Sequence, residues 1–474
     1  MKKLYFLLLV IFTLASSNAQ TINMELVSPT VPFYEADLGS VAFGDYDNDG
    51  DQDLITIGKG GPVKTVLYSN NGSGVFTEVL GMPFTNVFYG KVAFEDVNND
   101  GFKDLFITGS TSSPTRTAKL YFNNGIGGFT EATGTPFEPN STGDFEFADI
   151  DNDGDKDLLM TGTNTSDLSF TKLYTNNGLG IFSLVSGTTF EPVRESSIAF
   201  FDMDNDGDKD VIISGKNNSN ARLTKLYSNN GSGLFTLVAN TTFDAVSLSG
   251  ISAGDSDNDG DIDILITGQS DSGYISKLYL NNGAGMFSVL SGTPFEGVFI
   301  STANFADFDN DGDKDIFIAG ARIGNPSAMA GIYQNQGNNT FVLSNSLIAT
   351  YQARVGIADI DNDGDLDLFL SGTHFEGGVR VPKLYRNTTI LSTTNFDTNN
   401  LTTFYPNPTN DIVNFSSTNT IENITVYNLL GQVVLSKEIN SNEFILDITN
   451  KPSGTYIAKV SSNGKTESLK LVKI

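Results

Sequence analysis

Short segments in which apolar and polar residues alternate recur along the chain. In the first of them, Val41 and Phe43 are apolar, whereas Ser40 and Ala42 are polar or small. The equivalent apolar pairs are Val92 and Phe94, Phe145 and Phe147, Ile198 and Phe200, Ile251 and Ala253, Ala303 and Phe305, and Val355 and Ile357. A period of two predicts a β-strand with one buried face.

Each alternating segment opens a longer unit. An acidic loop follows it, and then come an apolar run such as 54–57, a third run that ends in Leu67-Tyr68, the turn Asn70-Asn71-Gly72 and a fourth strand near Phe76. Asn-Gly turns between apolar runs predict antiparallel hairpins. The unit occurs seven times, every 51 to 53 residues. We therefore predict an all-β chain in which four short strands per unit build a seven-bladed β-propeller.

The two ends of the repeat region complement each other. The seventh unit reaches Tyr385-Arg386-Asn387 but lacks the fourth strand that follows the other turns. Near the N-terminus, Met24-Glu25-Leu26-Val27 followed by Pro32-Phe33 is similar to 76–79 followed by Pro83-Phe84. We expect the N-terminal segment to supply the outer strand of the last blade, because this closes the ring without an open edge.

The acidic loops share a pattern of nine residues, with carboxylates at positions 1, 3, 5 and 9 and Gly at position 6. Anionic oxygens this close repel one another unless a hard cation neutralises them, and calcium accepts about 6 to 8 oxygen ligands in a flexible shell. The Gly permits the sharp turn that brings the ligands together. We predict up to seven calcium ions, one per repeat. Position 7 would contribute its backbone carbonyl, so we expect its side chain to be free to vary.

The predicted ligands are the residues at the odd-numbered positions of each loop. They are Asp45, Asp47, Asp49, Asp51 and Asp53; Asp96, Asn98, Asp100, Phe102 and Asp104; Asp149, Asp151, Asp153, Asp155 and Asp157; Asp202, Asp204, Asp206, Asp208 and Asp210; Asp255, Asp257, Asp259, Asp261 and Asp263; Asp307, Asp309, Asp311, Asp313 and Asp315; and Asp359, Asp361, Asp363, Asp365 and Asp367. The second loop has the fewest charges, and we expect it to be the weakest site. An EF-hand is excluded, because position 12 is not acidic and the flanks are strands. Plain hairpin turns are the alternative interpretation.

The pattern Asp-x-Asp-x-Asp-Gly-x-x-Asp between two strands resembles the FG-GAP/VCBS repeat family. That family includes the calcium-binding propeller of integrin α subunits and many bacterial surface proteins. The resemblance covers residues 22 to 390 and implies a calcium-binding propeller. It does not indicate the ligand, because one fold hosts many functions.

The N-terminus has the features of a secretory signal peptide. A basic Met1-Lys2-Lys3 precedes an apolar run over 4–14, and Ser17-Asn18-Ala19 provides small residues for cleavage. We assign residues 1–19 to the signal peptide and 20–390 to the propeller. The chain has no Cys, so we expect neither disulfides nor a lipidated N-terminal Cys. No other apolar segment is long enough to predict a transmembrane helix.

The acidic loops stop before the C-terminal part of the chain. Residues 391–402 are rich in Thr, Asn and Ser and predict a linker, whereas 403–474 contain short strand-like runs that predict a small C-terminal β-sandwich. Its motifs are Tyr405-Pro406-Asn407-Pro408, 427–432, Pro452-Ser453-Gly454-Thr455-Tyr456 and 470–474. Together they resemble the type A C-terminal sorting domain of the type IX secretion system. The resemblance implies that the type IX machinery is a partner, that the protein reaches the exterior of a Gram-negative outer membrane, and that the tail is removed.

Charge limits the choice of partners. The net charge is −28, and the seven loops hold 33 of the 56 acidic residues, five in each of six loops and three in the second. The acidity therefore reflects metal ligation, and a chain this acidic is not expected to bind nucleic acid. Most Arg residues fall on the face away from the acidic loops. They predict either a surface for acidic glycans or ordinary solvated charges.

The sequence contains no nucleophile elbow, zincin motif or Ser/His/Asp set. We predict a non-catalytic binding or adhesion module that recognises an unknown extracellular glycan or protein. One alternative is a polysaccharide-degrading lyase or hydrolase, with Glu138, Glu191, Asp244 and Glu296 as candidate acids. Another is a purely structural surface protein.

Overall fold

The computed structural model describes residues 21–27, 33–112, 115–324, 327–374, 378–380, 382–389, 402–428, 433–462 and 465–474. The predicted signal peptide and almost all of the predicted linker lie outside these residues. The chain divides into two compact units, Met1–Leu391 and Ser392–Ile474. Every assigned element is a β-strand. Within the described residues, no helix is long and apolar enough to cross a membrane.

Antiparallel strands in groups of four build the first unit. In chain order the strands are β1 (Met24–Leu26); β2 (Asp37–Gly44), β3 (Asp53–Lys59), β4 (Val63–Asn70) and β5 (Phe76–Val79); β6 (Val92–Glu95), β7 (Asp104–Ser110), β8 (Arg116–Asn123) and β9 (Phe129–Glu131); β10 (Asn140–Ser141), β11 (Phe145–Ala148), β12 (Asp157–Asn164), β13 (Ser169–Thr175) and β14 (Ser183–Leu184); β15 (Arg194–Phe201), β16 (Asp210–Lys216), β17 (Arg222–Ser228) and β18 (Thr236–Leu237); β19 (Ser247–Gly254), β20 (Asp263–Ser270), β21 (Gly273–Leu280) and β22 (Ser288–Val289); β23 (Phe299–Ala306), β24 (Asp315–Ala321), β25 (Ala328–Asn335) and β26 (Phe341–Ser346); and β27 (Thr350–Ala358), β28 (Asp367–His374) and β29 (Lys383–Asn387).

Most groups are separate four-stranded sheets, in which each strand pairs with its neighbour in sequence. The second and third groups join into one nine-stranded sheet, because the short β10 pairs with both β8 and β12. The predicted all-β propeller is confirmed, and the groups are consistent with seven blades.

The last blade is completed by the N-terminal strand, as the sequence predicts. Its order is β1-β29-β28-β27, and β1 pairs with β29 so that Met24 lies opposite Asn387 and Leu26 opposite Tyr385. Phe33 then packs against Tyr68 in the first blade and Phe369 in the last, with ring centroids 5.2 and 4.8 Å apart. Pro32, which precedes Phe33 in the same motif, lies outside the described residues.

The hydrophobic core lies between neighbouring blades. One cluster combines Ile55 and Leu67 of the first blade with Val92 and Leu105 of the second. The second strand of a blade is buried along most of its length, which explains why its sequence is continuously apolar rather than alternating. The alternating first strands contribute to the clusters on both of their sides: in β15, Ile198 belongs to one cluster, whereas Ala199 and Phe201 belong to the next. Both faces of this strand are therefore packed, not one as the alternation predicts, and residues of all the first strands also line the centre of the ring.

The second unit consists of β30 (Thr402–Tyr405), β31 (Ile412–Asn428), β32 (Val433–Asp447), β33 (Gly454–Ser462) and β34 (Lys465–Lys473). Hydrogen bonds join them into a single five-stranded sheet around one apolar core. The long β31 and β32 each contain two of the short runs that the sequence suggests. The register of the pairing between β31 and β32 shifts between Ser416 and Ile421, where the two runs of β31 meet.

Candidate functional site

The acidic loops connect the first and second strands of the blades, and the Asp at position 1 organises each turn. In the first loop, Asp45 Oδ1 accepts hydrogen bonds from the backbone N–H groups of Asn48 (2.7 Å) and Asp49 (3.2 Å), and Oδ2 accepts one from Gly50 (3.0 Å). Asn48 and Gly50 have φ values of 65° and 95°, a region that Asn and Gly tolerate best. The bond from the Gly N–H to the first Asp recurs in every loop.

The Asp at position 9 fastens the loop to the blade. Asp53 accepts hydrogen bonds from the backbone N–H of Tyr46 (3.0 Å) and of Asn70 (2.8 Å), at the end of β4. The same pair recurs at Asp104, Asp157, Asp210, Asp263, Asp315 and Asp367. Burial raises the pKa of Asp53 to about 7, even though both hydrogen bonds favour the ionised form.

Position 3 carries an oxygen that the protein itself does not satisfy. Among the described residues, one carboxylate oxygen is buried without a hydrogen-bond partner in Asp47, Asp151, Asp204, Asp257, Asp309 and Asp361. The same is true of position 1 in Asp149, Asp255 and Asp307. Burial, followed by repulsion from Asp49 and Asp45, raises the pKa of Asp47. A buried anionic oxygen without a partner is costly, and a bound cation would compensate for this cost.

The orphaned oxygens belong to compact carboxylate clusters. Ligand atoms lie within 4.8 Å of one another in Asp45, Asp47 and Asp53; in Asp149, Asp151 and Asp157; in Asp202, Asp204 and Asp206; in Asp255, Asp257 and Asp259; and in Asp307, Asp309 and Asp311. These clusters could hold metal ions. An all-oxygen donor set on a short loop fits a hard divalent cation such as calcium.

Side chains beside the loops alter several of them; in the sixth loop, for example, Gln334 donates to Asp309 Oδ2. In the second loop, the Asn98 amide donates to Asp100 Oδ2 (2.9 Å). One carboxylate oxygen of the position-5 Asp is therefore already hydrogen-bonded to a neutral side chain. In the seventh loop, Arg386 Nε lies 2.7 Å from Asp361 Oδ2. This Arg precedes the Asn of the turn, where the other blades have neutral residues, and the sequence analysis did not recognise its effect. It supplies positive charge that competes with a cation.

The position-7 side chain, which we expected to be free to vary, makes a specific contact wherever it is Asp. The Asn at position 4 of one loop donates its amide to the Asp at position 7 of the next loop, a contact that we call the clasp. The clasps are Asn99–Asp155 (2.7 Å), Asn152–Asp208 (2.8 Å), Asn205–Asp261 (2.7 Å), Asn258–Asp313 (2.5 Å), Asn310–Asp365 (2.7 Å) and Asn362–Asp51 (2.8 Å). The last of them joins the seventh blade to the first. Between the first two loops, position 7 is Phe102, which cannot accept a hydrogen bond.

A second contact, which we call the latch, ties every blade to the preceding one. The first Asn of each turn donates its amide to the backbone carbonyl at position 2 of the preceding loop. The latches are Asn70–Ile360, Asn123–Tyr46, Asn176–Val97, Asn229–Ile150, Asn281–Met203, Asn335–Ser256 and Asn387–Phe308, at 2.7 to 2.8 Å. The turns and the acidic loops therefore share one face of the propeller, as the sequence predicts.

On the opposite face, the Arg residues make contacts within the protein. The ion pairs are Arg116–Asp167 (2.6 Å), Arg222–Asp271 (2.5 Å), Arg380–Asp37 (3.2 Å) and Arg322–Glu296, and Arg194 donates to Ser169 Oγ (2.9 Å) and to Asn220. The candidate acids are also engaged: Glu138 pairs with Lys172, Asp244 pairs with Lys277, and Glu191 accepts from Asn217. These arginines join blades rather than forming a free anion-binding surface.

Comparison with known proteins agrees with this architecture. FG-GAP-like repeats match residues 45–107, 96–160, 149–213, 202–266, 255–318 and 307–370, and a secretion system C-terminal sorting domain matches 403–474. The sorting domain directs type IX export to the cell surface or the extracellular space. No curated protein matches the sequence.

Several solved structures are similar at low sequence identity. AofleA from Arthrobotrys oligospora is 11% identical, with a TM-score of 0.40 over 69% of this chain and 90% of that one. A mutant of the Aleuria aurantia lectin in complex with Fucα1-6GlcNAc is 10% identical, with a TM-score of 0.38 over 65% and 96%. PorZ, a surface component of the type IX secretion system of Porphyromonas gingivalis, is 13% identical, with a TM-score of 0.35 over 92% and 70%.

The family assignment therefore rests on the repeats themselves, which cover most of the chain. This chain belongs to the FG-GAP-like repeat family and ends in a type IX secretion sorting domain.

Proposed function

We propose that the protein is a calcium-stabilised, non-catalytic binding module displayed outside the cell. The orphaned position-3 oxygens in six loops are the observation that supports calcium. They recur at the same place in the repeat and lie beside other carboxylates. A cation at each cluster would satisfy these oxygens and relieve the repulsion that raises the pKa of residues such as Asp47.

A binding role is supported by the way in which the charged side chains are used. The candidate acids form ion pairs or accept hydrogen bonds, and the clasps and latches join neighbouring blades into one framework. Such a framework holds loops and a central channel in fixed positions, which favours recognition. Export to the cell surface places that framework in contact with extracellular partners.

Calcium stabilisation is tested by thermal unfolding in chelator and in millimolar calcium. Each occupied site contributes about 2.7 kcal/mol when calcium is at 100 times its Kd, so the melting temperature should rise strongly with calcium. Asp149→Asn should lower the measured calcium stoichiometry more than the matched variant Asp96→Asn in the weaker second loop. Equal melting temperatures with and without calcium would refute the proposal.

Binding is tested with a glycan array and with a lyase and hydrolase assay on the polysaccharides that bind. Binding without cleavage is the expected result. Cleavage would identify the protein as an enzyme, and neither binding nor cleavage would favour a structural surface protein.

A further inference from the structure

The first strands of the blades surround a central channel that contains two adjoining chambers. The inner chamber has a volume of 430 Å³ and is lined by residues from all blades, among them Lys91, Asp144, Glu146 and Arg354. The mouth chamber has a volume of 380 Å³. It lies at the starts of the first strands, on the face opposite the acidic loops. Arg354 lines both chambers and is the one charged residue that they share.

The two cationic side chains of the inner chamber are paired differently. Lys91 Nζ lies 2.6 Å from Asp144 Oδ1 and also donates to the Phe145 carbonyl (2.8 Å). Arg354 donates only to backbone oxygens within the described part of the chain, from Nε to Gly39 (3.1 Å) and from Nη1 to Ala353 (2.7 Å). No carboxylate among the described residues forms an ion pair with it. The Nη2 side of this guanidinium therefore remains available.

Arg354 differs in this respect from the other arginines. The arginines on the face opposite the acidic loops form ion pairs or donate to neutral acceptors. Burial lowers the pKa of Arg354, whereas nearby Asp144 raises it. A guanidinium that is deep in the protein and has no carboxylate partner is costly unless an anion accompanies it. Asp144 neutralises Lys91, and burial raises the pKa of Glu146, the other carboxylate of this chamber, to about 8, so Glu146 is largely uncharged at neutral pH. The Arg354 charge is therefore the one left without a counter-charge, which suits a monoanion.

The mouth chamber has a fixed and largely apolar rim. Leu38, Tyr89, Leu248 and Ile300 line it at equivalent positions of their blades, and Thr142, Glu195 and Gln352 occupy this position in the other three. The Glu195 carboxylate is paired with Lys216 at 2.8 Å. The residue at this position has a φ between 47° and 56° in all blades, although none of them is Gly. Tyr89 N donates to the Leu38 carbonyl (2.5 Å), and Thr142 N donates to the Tyr89 carbonyl (2.8 Å). Such strained backbone persists where the surroundings impose it, and it is typical of binding sites.

We propose that the channel binds a small organic monocarboxylate of about monosaccharide size. The carboxylate would pair with the Nη2 side of Arg354, and the body of the ligand would occupy the mouth chamber against the apolar rim. Arg is well suited to this role, because its planar fork of donors matches a carboxylate. Both chambers fall in the size range of small-molecule sites, which is about 300 to 1,000 Å³. The inference rests on the proposed binding function and names its ligand class.

The test uses the full exported protein in saturating calcium and titrates glucuronate, with glucose as the neutral control. Titration calorimetry should show glucuronate binding at least tenfold more tightly than glucose. Arg354→Gln should reduce glucuronate affinity at least tenfold, whereas Arg322→Gln, on the same face but outside the two chambers, should leave it unchanged. Equal binding of the two sugars, or no binding of glucuronate, would overturn the inference.

A second variant keeps the test decisive if Arg354→Gln does not fold. Gln352→Glu keeps the shape of a residue in the mouth chamber and adds a negative charge, so it should also weaken glucuronate at least tenfold while the melting temperature stays unchanged. Unchanged affinity in a folded Gln352→Glu or Arg354→Gln protein would overturn the inference. An oligosaccharide that ends in a uronic acid shows whether the natural ligand is the end of a glycan or a free acid. Tighter binding of the oligosaccharide than of glucuronate indicates a glycan end, and equal affinity indicates the free acid.

These outcomes separate the inference from the proposed function. If Arg354→Gln retains all binding on the glycan array and glucuronate does not compete, the channel inference fails while the binding function stands. If the protein cleaves the bound polysaccharide, the non-catalytic function fails, whatever the result of the glucuronate titration.

Discussion

Removing one clasp should weaken the junction between two blades by a measurable and modest amount. At the junction of the fourth and fifth blades, Asn205 donates to Asp261 at 2.7 Å in an exposed position. A typical hydrogen bond contributes about 0.5 to 1.5 kcal/mol net to the stability of the folded state. Because this clasp is exposed to solvent, its contribution should lie near the lower end of that range. We expect a coupling of about 0.5 to 1 kcal/mol, which corresponds to about 1 to 3 °C in Tm for a domain of this size.

A double-mutant cycle isolates this contact from its side effects. Asn205→Gly preserves the φ of 60° at this position, and Asp261→Ala retains the backbone carbonyl that the calcium prediction assigns to position 7. Thermal unfolding of the single and double variants in saturating calcium gives the coupling energy, because other losses cancel in the cycle. A coupling of zero within error would refute the assignment of the clasp.

The junction between the first and second blades offers the converse experiment. Phe102→Asp restores the acceptor that this junction lacks, and it should raise Tm in calcium. The gain should disappear when Asn48→Gly removes the donor. A gain that survives in the double variant would show that Phe102 destabilises the loop for another reason, such as the packing of its ring against the turn at Gly125.

Four further predictions follow from other parts of the structure. Asp157→Ala leaves two backbone N–H groups without their acceptor, so it should cost about 2 to 5 kcal/mol in denaturant unfolding, far more than Asp155→Ala. Deletion of residues 20–33 exposes β29 as an edge, so the protein should aggregate and melt earlier in scattering and calorimetry; a truncated protein that melts like the full chain would contradict this. Burial raises the pKa of Glu146 to about 8, although Lys91 opposes this; Asp144 and Arg354 line the same chamber, and the Phe200 N–H donates to the Glu146 carboxylate. The unfolded chain therefore releases this proton first as pH rises, and native stability falls between about pH 4.5 and 8. Each unit between the two pKa values is worth about 1.4 kcal/mol, so the stability advantage of Glu146→Gln in denaturant unfolding should grow over that range, by at most about 5 kcal/mol. Removal of residues 403–474 should leave calcium-dependent melting unchanged but retain the protein in the periplasm, as judged by cell fractionation.

Features set by a single repeat could be predicted from the sequence. Alternation around Val41 and Phe43 gave the first strands, and the spacing of Asp45 to Asp53 gave the loops. The pairing of β1 with β29 could also be predicted, because Met24 to Val27 resembles the fourth strand that the last unit lacks.

Contacts between repeats were missed, because a single repeat does not show which side chains meet across a junction. The clasp between the fourth and fifth blades, for example, joins Asn205 to Asp261, and these residues lie 56 positions apart in the sequence. The regular occurrence of Asn at position 4 was the available indication. The absence of an ion pair at Arg354 could not be predicted either, since it depends on which carboxylates the neighbouring blades place within reach.

The closure of the ring has a consequence for the order of events during export. Asn23 N donates to Thr389 Oγ1 at 2.9 Å, although the two residues are 366 positions apart in the chain. A polypeptide that is delivered N-terminus first presents β1 at the beginning and its partner β29 only after every other blade has emerged. Until then, β1 is a short unpaired strand and the nascent propeller is an open arc with exposed edges, a species prone to mispairing. Complete delivery of the propeller thus precedes its final folding step, and periplasmic holding factors that cover strand edges would protect the chain during this interval.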